Sequence, residues 1–333
     1  MRKISLSVKF ARAVLHHTVD HGLDPVDLLI RNRISPRLLV EDDARLSAER
    51  FADLQVSTML AMGDESLGYA PQPLPIGSWS MMCHAVIGSA TLGQALSRYC
   101  RFFSLFNSGF CPTLVDDGVN TTLLLQDPQT KAHSVAYYSE LFLCNSQRFC
   151  NWLVNAQLPL VSVSLRDTPV TREQEYRQIF MGNPVHFDQD KVALTLTNAQ
   201  LDRPIKQNEI SLRHFLRHPV LFMLTQQFGD DSWTNKVRDL LRRNMEHLPE
   251  LSEVAAKLDI HPQTLRRRLA AEGTSFKDIK SGLRRDTALH FLGKQGLSIE
   301  EIAHRAGFSE SSAFIRAFKA WTGVTPYGYR KGL

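Results

Sequence analysis

Two stretches within the last hundred residues repeat one pattern, and no other feature narrows the possible folds so far. Val254, Ala255, Ile260 and His261 align with Ile302, Ala303, Phe308 and Ser309. Leu265, Arg267 and Leu269 then align with Phe314, Arg316 and Phe318, one position further on. Each copy reads as a helix, a tight turn and a second helix. Short helices are marginal alone and need a shared apolar core, so two such pairs demand an all-helical domain. The change of spacing predicts one extra residue just inside the second helix of the second copy.

In the first copy, Ser252 to Leu258 is amphipathic, with Leu251, Val254, Ala255 and Leu258 on one face. Ala255 is small enough for a close helix crossing. Asp259-Ile260 makes the turn, His261 is the expected N-cap, and Pro262 takes the first helical position, where a missing N–H costs nothing. The second helix is predicted to run from Gln263 to Glu272 and stop at Gly273. Leu265 and Leu269 face inward; Gln263, Arg266 and Arg267 face outward near its N-terminal half.

In the second copy, Ser298 and Glu301 have capping-box spacing, Gly307 supplies the turn, and Ser311 to Thr322 forms the second helix. Ala313, Phe314, Ala317, Phe318 and Trp321 make its apolar stripe, while Ser311, Ser312 and Arg316 point outward. Gly323 to Pro326 ends that helix, and Tyr327 to Arg330 forms a short last one. Between the copies, Ser275 to Gln295 reads as one long helix with Phe276, Ile279, Leu283, Ala288, Leu289 and Leu292 inward. A spacer holding two readers about 34 Å apart would put both in successive major grooves.

The outward residues suit base edges. Arginine binds guanine in a bidentate manner, and glutamine does the same to adenine. An isolated triplet such as Arg266 to Arg268 would read as solvated charge; the aligned second copy favours recognition. Charge placement agrees. From Lys236 onward there are 18 Lys and Arg against 11 Asp and Glu, and elsewhere 21 against 23. A basic excess on the repeated helices fits phosphate contacts. A basic patch for anionic lipid is the rival reading.

The C-terminal segment resembles the AraC/XylS family of bacterial transcription regulators. The residues that carry the likeness include Ala255, Leu265, Arg267, Leu269, Gly273, Phe276, Leu283, Arg284, Ala288 and Leu292. They continue with Ile299, Ile302, Ala303, Gly307, Phe308, Phe314, Phe318, Lys319, Gly323, Pro326, Tyr329 and Arg330. The resemblance implies base contacts from Gln263, Arg266 and Arg267 in one copy and Ser311, Ser312 and Arg316 in the other. It also implies double-stranded promoter or operator DNA and RNA polymerase as partners, with a homodimer as an option and activation favoured over repression. Asp259 departs from the pattern, standing where the family often has glycine in the first turn.

The N-terminal part is similar to the arabinose-binding-like effector region of one subgroup. The cues are Gly22 to Pro25, Gly77 to Met82, Ser89 to Leu96 with Tyr99, Phe180 to Phe187, and Leu201 to Pro204. Expected domains are residues 1–228 for effector binding and oligomerisation, and 229–333 for DNA binding, with the two motifs at 252–273 and 299–322. The boundary falls near Gly229 to Ser232.

Periodicity in the N-terminal part predicts helices over Ser7–His21, Asp24–Asn32, Ala48–Met62, Thr91–Phe106, Ser134–Val154 and Arg172–Phe180. Strands are predicted over Phe110–Val115 and Val119–Gln126, joined by Asp116-Asp117-Gly118, and over Leu160–Arg166, Val185–Phe187 and Val192–Leu196. Without regular βαβ alternation the class is α+β, ahead of an all-α domain with two helix-turn-helix motifs joined by a long helix. The candidate effector residues are Trp79, Met82, His84, Arg98, Tyr99, Arg101 and Phe103. Aromatic and thioether groups suit an apolar ligand body and an arginine suits an acid head. The alternative is plain core packing with surface arginines. The expected effector is an amino acid, a fatty acid or another acid with an apolar part.

A chain of 333 residues can hold two domains. No apolar run is long enough for a bilayer and the start lacks a signal-peptide core, so a cytoplasmic protein without membrane partners is expected. Cys83, Cys100, Cys111, Cys144 and Cys150 lack metal spacing and read as free thiols, with redox sensing by Cys144 and Cys150 as an alternative. His17 and His21 have zinc-compatible spacing but no evident third ligand. No cofactor or metal is implied. An alkyl-transfer repair enzyme needs a Pro-Cys-His setting, and Cys111-Pro112 lacks the histidine. No nucleophile elbow, zinc-protease motif or phosphate loop appears. An architectural DNA-binding protein would leave the first 225 residues without a task.

Overall fold

The computed structural model describes residues 4–106, 108–126, 136–169, 173–225, 233–245, 248–272, 274–294, 296–322 and 324–331. The chain opens with β1 (Ser5–Ser7), α1 (Val8–Val14), α2 (Pro25–Arg31), β2 (Arg45–Ser47) and α3 (Ala48–Met62). It continues through α4 (Ser78–Ile87), α5 (Leu92–Phe103), β3 (Cys111–Asp116), β4 (Asn120–Gln126) and α6 (Ala136–Val154). Next come β5 (Ser162–Ser164), α7 (Glu173–Ile179), β6 (Val185–His186), β7 (Val192–Thr197), α8 (Asn198–Leu201), α9 (Glu209–Phe215) and α10 (Pro219–Thr225). The helical C-terminal part holds α11 (Trp233–Arg242), α12 (Leu251–Lys257), α13 (Pro262–Ala271), α14 (Phe276–Leu292), α15 (Ile299–Arg305), α16 (Ser311–Thr322) and α17 (Pro326–Lys331). The fold is thus α+β followed by an all-α region.

Two compact units emerge. One gathers Met1–Ala11, Leu29–Phe51 and Gly229–Leu333; the other gathers Arg12–Leu28 and Ala52–Phe228. Two N-terminal stretches, 1–11 and 29–51, thus group with the C-terminal helices. The reason is local. β1 and β2 pair antiparallel, Leu6 opposite Leu46, and the pair packs on α14. Ser5 Oγ donates to Asp286 Oδ1 at 2.7 Å, and Arg45 donates to Ser5 Oγ and Ser5 O. At the end of α14, Arg50 Nη2 donates to the Gly293 carbonyl at 3.1 Å, and Glu49 lies 3.2 Å from His290 Nδ1. Burial works against the charged form of Glu49, but the His290 hydrogen bond and charge, its own backbone N–H and the Ser47 hydroxyl together outweigh it and hold its carboxyl below the ordinary range. The predicted helix Ser7–His21 is shorter than expected at both ends: Ser7 is spent on strand pairing, and α1 stops at Val14, with a separate 3-10 turn over Val19–His21.

In the other unit, five strands run in the order β3-β4-β7-β5-β6, all antiparallel except β5 with β6. The hairpin turn is built as its residues require. Asp117 Oδ1 accepts from Val119 N and Asn120 N, and Gly118 takes φ 90°. Alternation in β4 buries Thr121, Leu123 and Leu125, and Leu123 sits opposite Leu194 of β7. α6 covers that face. The first two residues of the predicted helix Ser134–Val154, and Arg172 at the head of the next, lie outside the described residues. α4 carries no local N-cap. Its first turn is held by Glu65, whose carboxylate accepts from Gly77 N at 2.7 Å and Trp79 N at 2.8 Å.

Glu140 on α6 is buried, with the Tyr176 hydroxyl donating to its carboxyl at 2.9 Å. Burial pushes this carboxyl up to about 8, the Asp167 charge adds to the effect, and the Tyr176 bond opposes it. Between pH 4.5 and 8 the folded chain thus keeps a proton that the unfolded chain has lost. Stability must fall as pH rises through that window, by at most about 1.4 kcal/mol per pH unit from this group. Urea titrations from pH 5 to 8.5 check this. Glu140→Gln should flatten that slope and leave the variant the more stable of the two above pH 8.

Candidate nucleic-acid interface

The first reader is α12, a four-residue turn and α13. Val254 and Ala255 of α12 and Leu265 and Leu269 of α13 are fully buried, and they share a core with Val237, Leu241, Ile279 and Leu283. Asp259 adopts the left-handed conformation at φ 53°, matching Gly307 of the second copy at φ 79°. The fold pays a local strain there that glycine would not incur. His261 caps α13 by accepting from Gln263 N through Nδ1 at 3.2 Å, and Pro262 follows at the first helical position. These constraints aim Gln263, Arg266 and Arg267 at solvent on one face. Arg266 Nη1 donates to Gln263 Oε1 at 3.2 Å, so the two side chains present donor groups side by side. The predicted stop at Gly273 lies outside the described residues.

Arg268 behaves differently from its two neighbours. Its guanidinium stacks over the Trp233 ring at 4.1 Å, and Glu272 accepts from the backbone N–H groups of Trp233 and Thr234. One end of α13 thereby holds the start of α11. All three arginines are exposed, and what sets Arg268 apart is its stacking on Trp233.

The second reader is α15, its turn and α16. Ser298 and Glu301 complete the reciprocal cap, at 3.0 and 2.6 Å. The Gly307 carbonyl accepts from Arg284 Nη2 at 2.7 Å, and the same guanidinium lies 4.6 Å from the Phe308 ring. Burial draws the Arg284 pKa down from its ordinary value, with the charge of Glu250 opposing. Phe314 and Phe318 are buried, while Ser312 and Arg316 are exposed and Ser311 is half-buried. Helix α16 begins 49 positions after α13 begins, and α15 begins 48 after α12. The extra residue, Glu310, therefore sits in the turn and not inside the helix. It accepts from Ser312 Oγ at 3.2 Å.

Two further residues of this face were given no part in DNA contact from the sequence. Lys319 is exposed one turn beyond Arg316 and extends its stripe. Ile315 is half-buried at the position aligned with Arg266, an apolar group where the first copy has charge. Spacing alone would have found Lys319. α14, 17 residues long and about 26 Å in rise, packs against α11, α15, α16 and α17, sending Ile279 and Leu283 into the first core.

The candidate effector residues lie in the other unit, and the structure divides them. On α5, Tyr99 and Phe103 turn inward, their rings 4.9 Å apart, whereas Arg98 and Arg101 are exposed. Met82 is fully buried, and half-buried Trp79 meets Phe149 edge-on at 5.5 Å. His84 is exposed, 3.5 Å from Glu209. The aromatic groups and the arginines therefore do not share one face. His17 contacts Asp20 and packs edge-on against Tyr69, and among the described residues no group of three is placed to hold a metal ion. No described helix is long and apolar enough to cross a membrane.

The family model described as "Arabinose-binding domain of AraC transcription regulator, N-term" matches residues 22–205, more than half of the chain. A model described as "Helix-turn-helix domain" matches residues 254–332. The chain belongs to the AraC family of transcription regulators. Within that family it is a DNA-binding regulator with an effector-binding N-terminal domain. It is 27% identical over 326 residues to the ornithine utilization regulator of Pseudomonas aeruginosa, covering 97% of this chain and 96% of that one. It is 26% identical over 322 residues to the transcriptional regulator VirS of Mycobacterium tuberculosis, covering 93% and 91%. The crystal structure of the regulator CdpR from Pseudomonas aeruginosa matches 97% of this chain and 98% of that one, at 22% identity and a TM-score of 0.34.

Proposed function

We propose that this AraC-family chain is a transcription activator that reads an asymmetric DNA site with two helices, α13 and α16. Gln263, Arg266 and Arg267 address base edges in one major groove, and Ser311, Ser312 and Arg316 do so in the next. The observation that carries this reading is the pair Arg267 and Arg316: they occupy aligned positions, both are exposed, and neither has a hydrogen-bond or ion-pair partner among the described residues. Bound near a promoter, the protein recruits RNA polymerase, and a homodimer covers two such sites. Its workplace is the bacterial cytoplasm, where its DNA lies.

The effector is a small organic molecule with an apolar part, in the class of amino acids, fatty acids or related acids. Of the candidate residues, the inward-facing Tyr99 bears on it most directly. Genome-wide occupancy, with candidate metabolites added or withheld, tests the whole reading. Sharp peaks beside one metabolic operon, each a footprint of about two helical turns, are the expected result. Diffuse occupancy under every condition would overturn it.

A further inference from the structure

Two apolar seams run through the core of the second unit and share Leu96 and Cys150 as a common wall. One is lined also by Tyr99, Ser146 and Phe149. The other is lined by Leu123, Gln147, Leu158, Leu160 and Leu194 among others. In this conformation both are divided too finely to admit a water molecule. α5, α6 and the inner face of β4 and β7 supply the walls.

The polar groups of these walls are satisfied, with one exception. Tyr99 donates to Ser146 Oγ at 2.8 Å, and Ser146 donates onward to the Phe142 carbonyl. Asn151 accepts from Leu158 N at 2.9 Å. Gln147 is 1% exposed; its Nε2 donates to the Phe180 carbonyl at 3.1 Å, which fixes the amide orientation. Its Oε1 is buried without a partner among the described residues. A buried acceptor left unpaired costs stability and is rare in native proteins. No charged side chain lines either seam. Burial pushes the Cys150 thiol up to about 12, so it too stays neutral.

We propose that these joined seams are the effector site, and that they take a neutral, largely apolar molecule with a single N–H or O–H, which Gln147 Oε1 accepts. The proposal rests on the effector-binding reading of the N-terminal domain. It narrows the expected class: an acid enters only with its head uncharged, because Arg98 and Arg101 face away from the seams' wall residue Tyr99. Since the seams are closed to water, the ligand binds by parting α5 and α6 from the sheet, and so it selects an opened form of the unit.

The test uses the full chain with indole as probe and benzofuran as its isostere lacking the N–H. Thermal shifts give both affinities. Indole should bind at least tenfold more tightly than benzofuran, and in Gln147→Met the two should become equal. Crystals soaked in 5-bromoindole should place the bromine signal between α5, α6 and the sheet. Equal binding of both probes by the parent protein, no shift with either, or bromine elsewhere would each overturn the site. If Gln147→Met fails to fold, the bromine position decides. DNA footprinting without probe runs in parallel. A protein that footprints but ignores indole loses only this assignment, whereas an absent footprint strikes at the regulator reading itself.

Discussion

Gly307→Ala should collapse the turn of the second reader and lose its half of the DNA footprint. Two effects add. The residue sits at φ 79°, in the left-handed region where any side chain is strained by about 1 kcal/mol. A Cβ there would also lie 2.6 Å from the Met245 carbonyl oxygen and 2.9 Å from Leu248 Cδ1. The first is backbone and cannot rotate away. The Gly307 carbonyl is meanwhile tied to Arg284, so the turn cannot back off without breaking that bond. A loss of roughly 3–5 kcal/mol is expected, near the upper end for single substitutions. Gly296→Ala is the control, because its φ is 93° but nothing lies within 4 Å of the added carbon. Denaturant melts of both variants measure the difference. If the two melt alike, the Met245 backbone yields and the clash has been overstated.

Arg267→Ala and Arg316→Ala should each weaken binding to a cognate site by about 1–3 kcal/mol and relax base choice at one position. The double variant should lose about the sum, since the two arginines belong to separate readers with their own cores. Lys319→Ala serves as the contrast. If it meets phosphate, it weakens all sequences equally and lowers the slope of affinity against salt by about one ion. Arg268→Ala should act through stability, because its guanidinium packs on Trp233. Binding assays on matched and single-mismatch duplexes across a salt series separate these cases. Uniform loss from Arg267→Ala or Arg316→Ala would reassign that residue to the phosphates.

The readers were legible because their signals are local. His261-Pro262, Ser298 with Glu301, and the inward Leu265 and Leu269 each lie within a turn or two of what they position. The Ala48–Met62 helix was placed to the residue for the same reason. What escaped depends on distant partners. The β1–β2 pair joins three-residue strands forty positions apart, too short to show alternation. α4 takes its cap from Glu65, twelve and fourteen residues upstream, so no cap signal adjoins it. Arg268 reads as one of three equal charges until Trp233 is seen beneath it. The effector set mixed both faces of α5, since proximity along a helix does not reveal which groups meet.

The clasp of β1, β2 and Glu49-Arg50 on α14 bears on how this protein can be inherited or rebuilt. Transplanting residues 229–333 onto another sensor would leave Asp286, His290 and the Gly293 carbonyl stripped of Ser5, Glu49 and Arg50. The reader is thus no cassette with one splice point. Its evolution is bound to two N-terminal segments that touch no base, and a substitution on α14 must be tolerated by residues more than two hundred positions earlier.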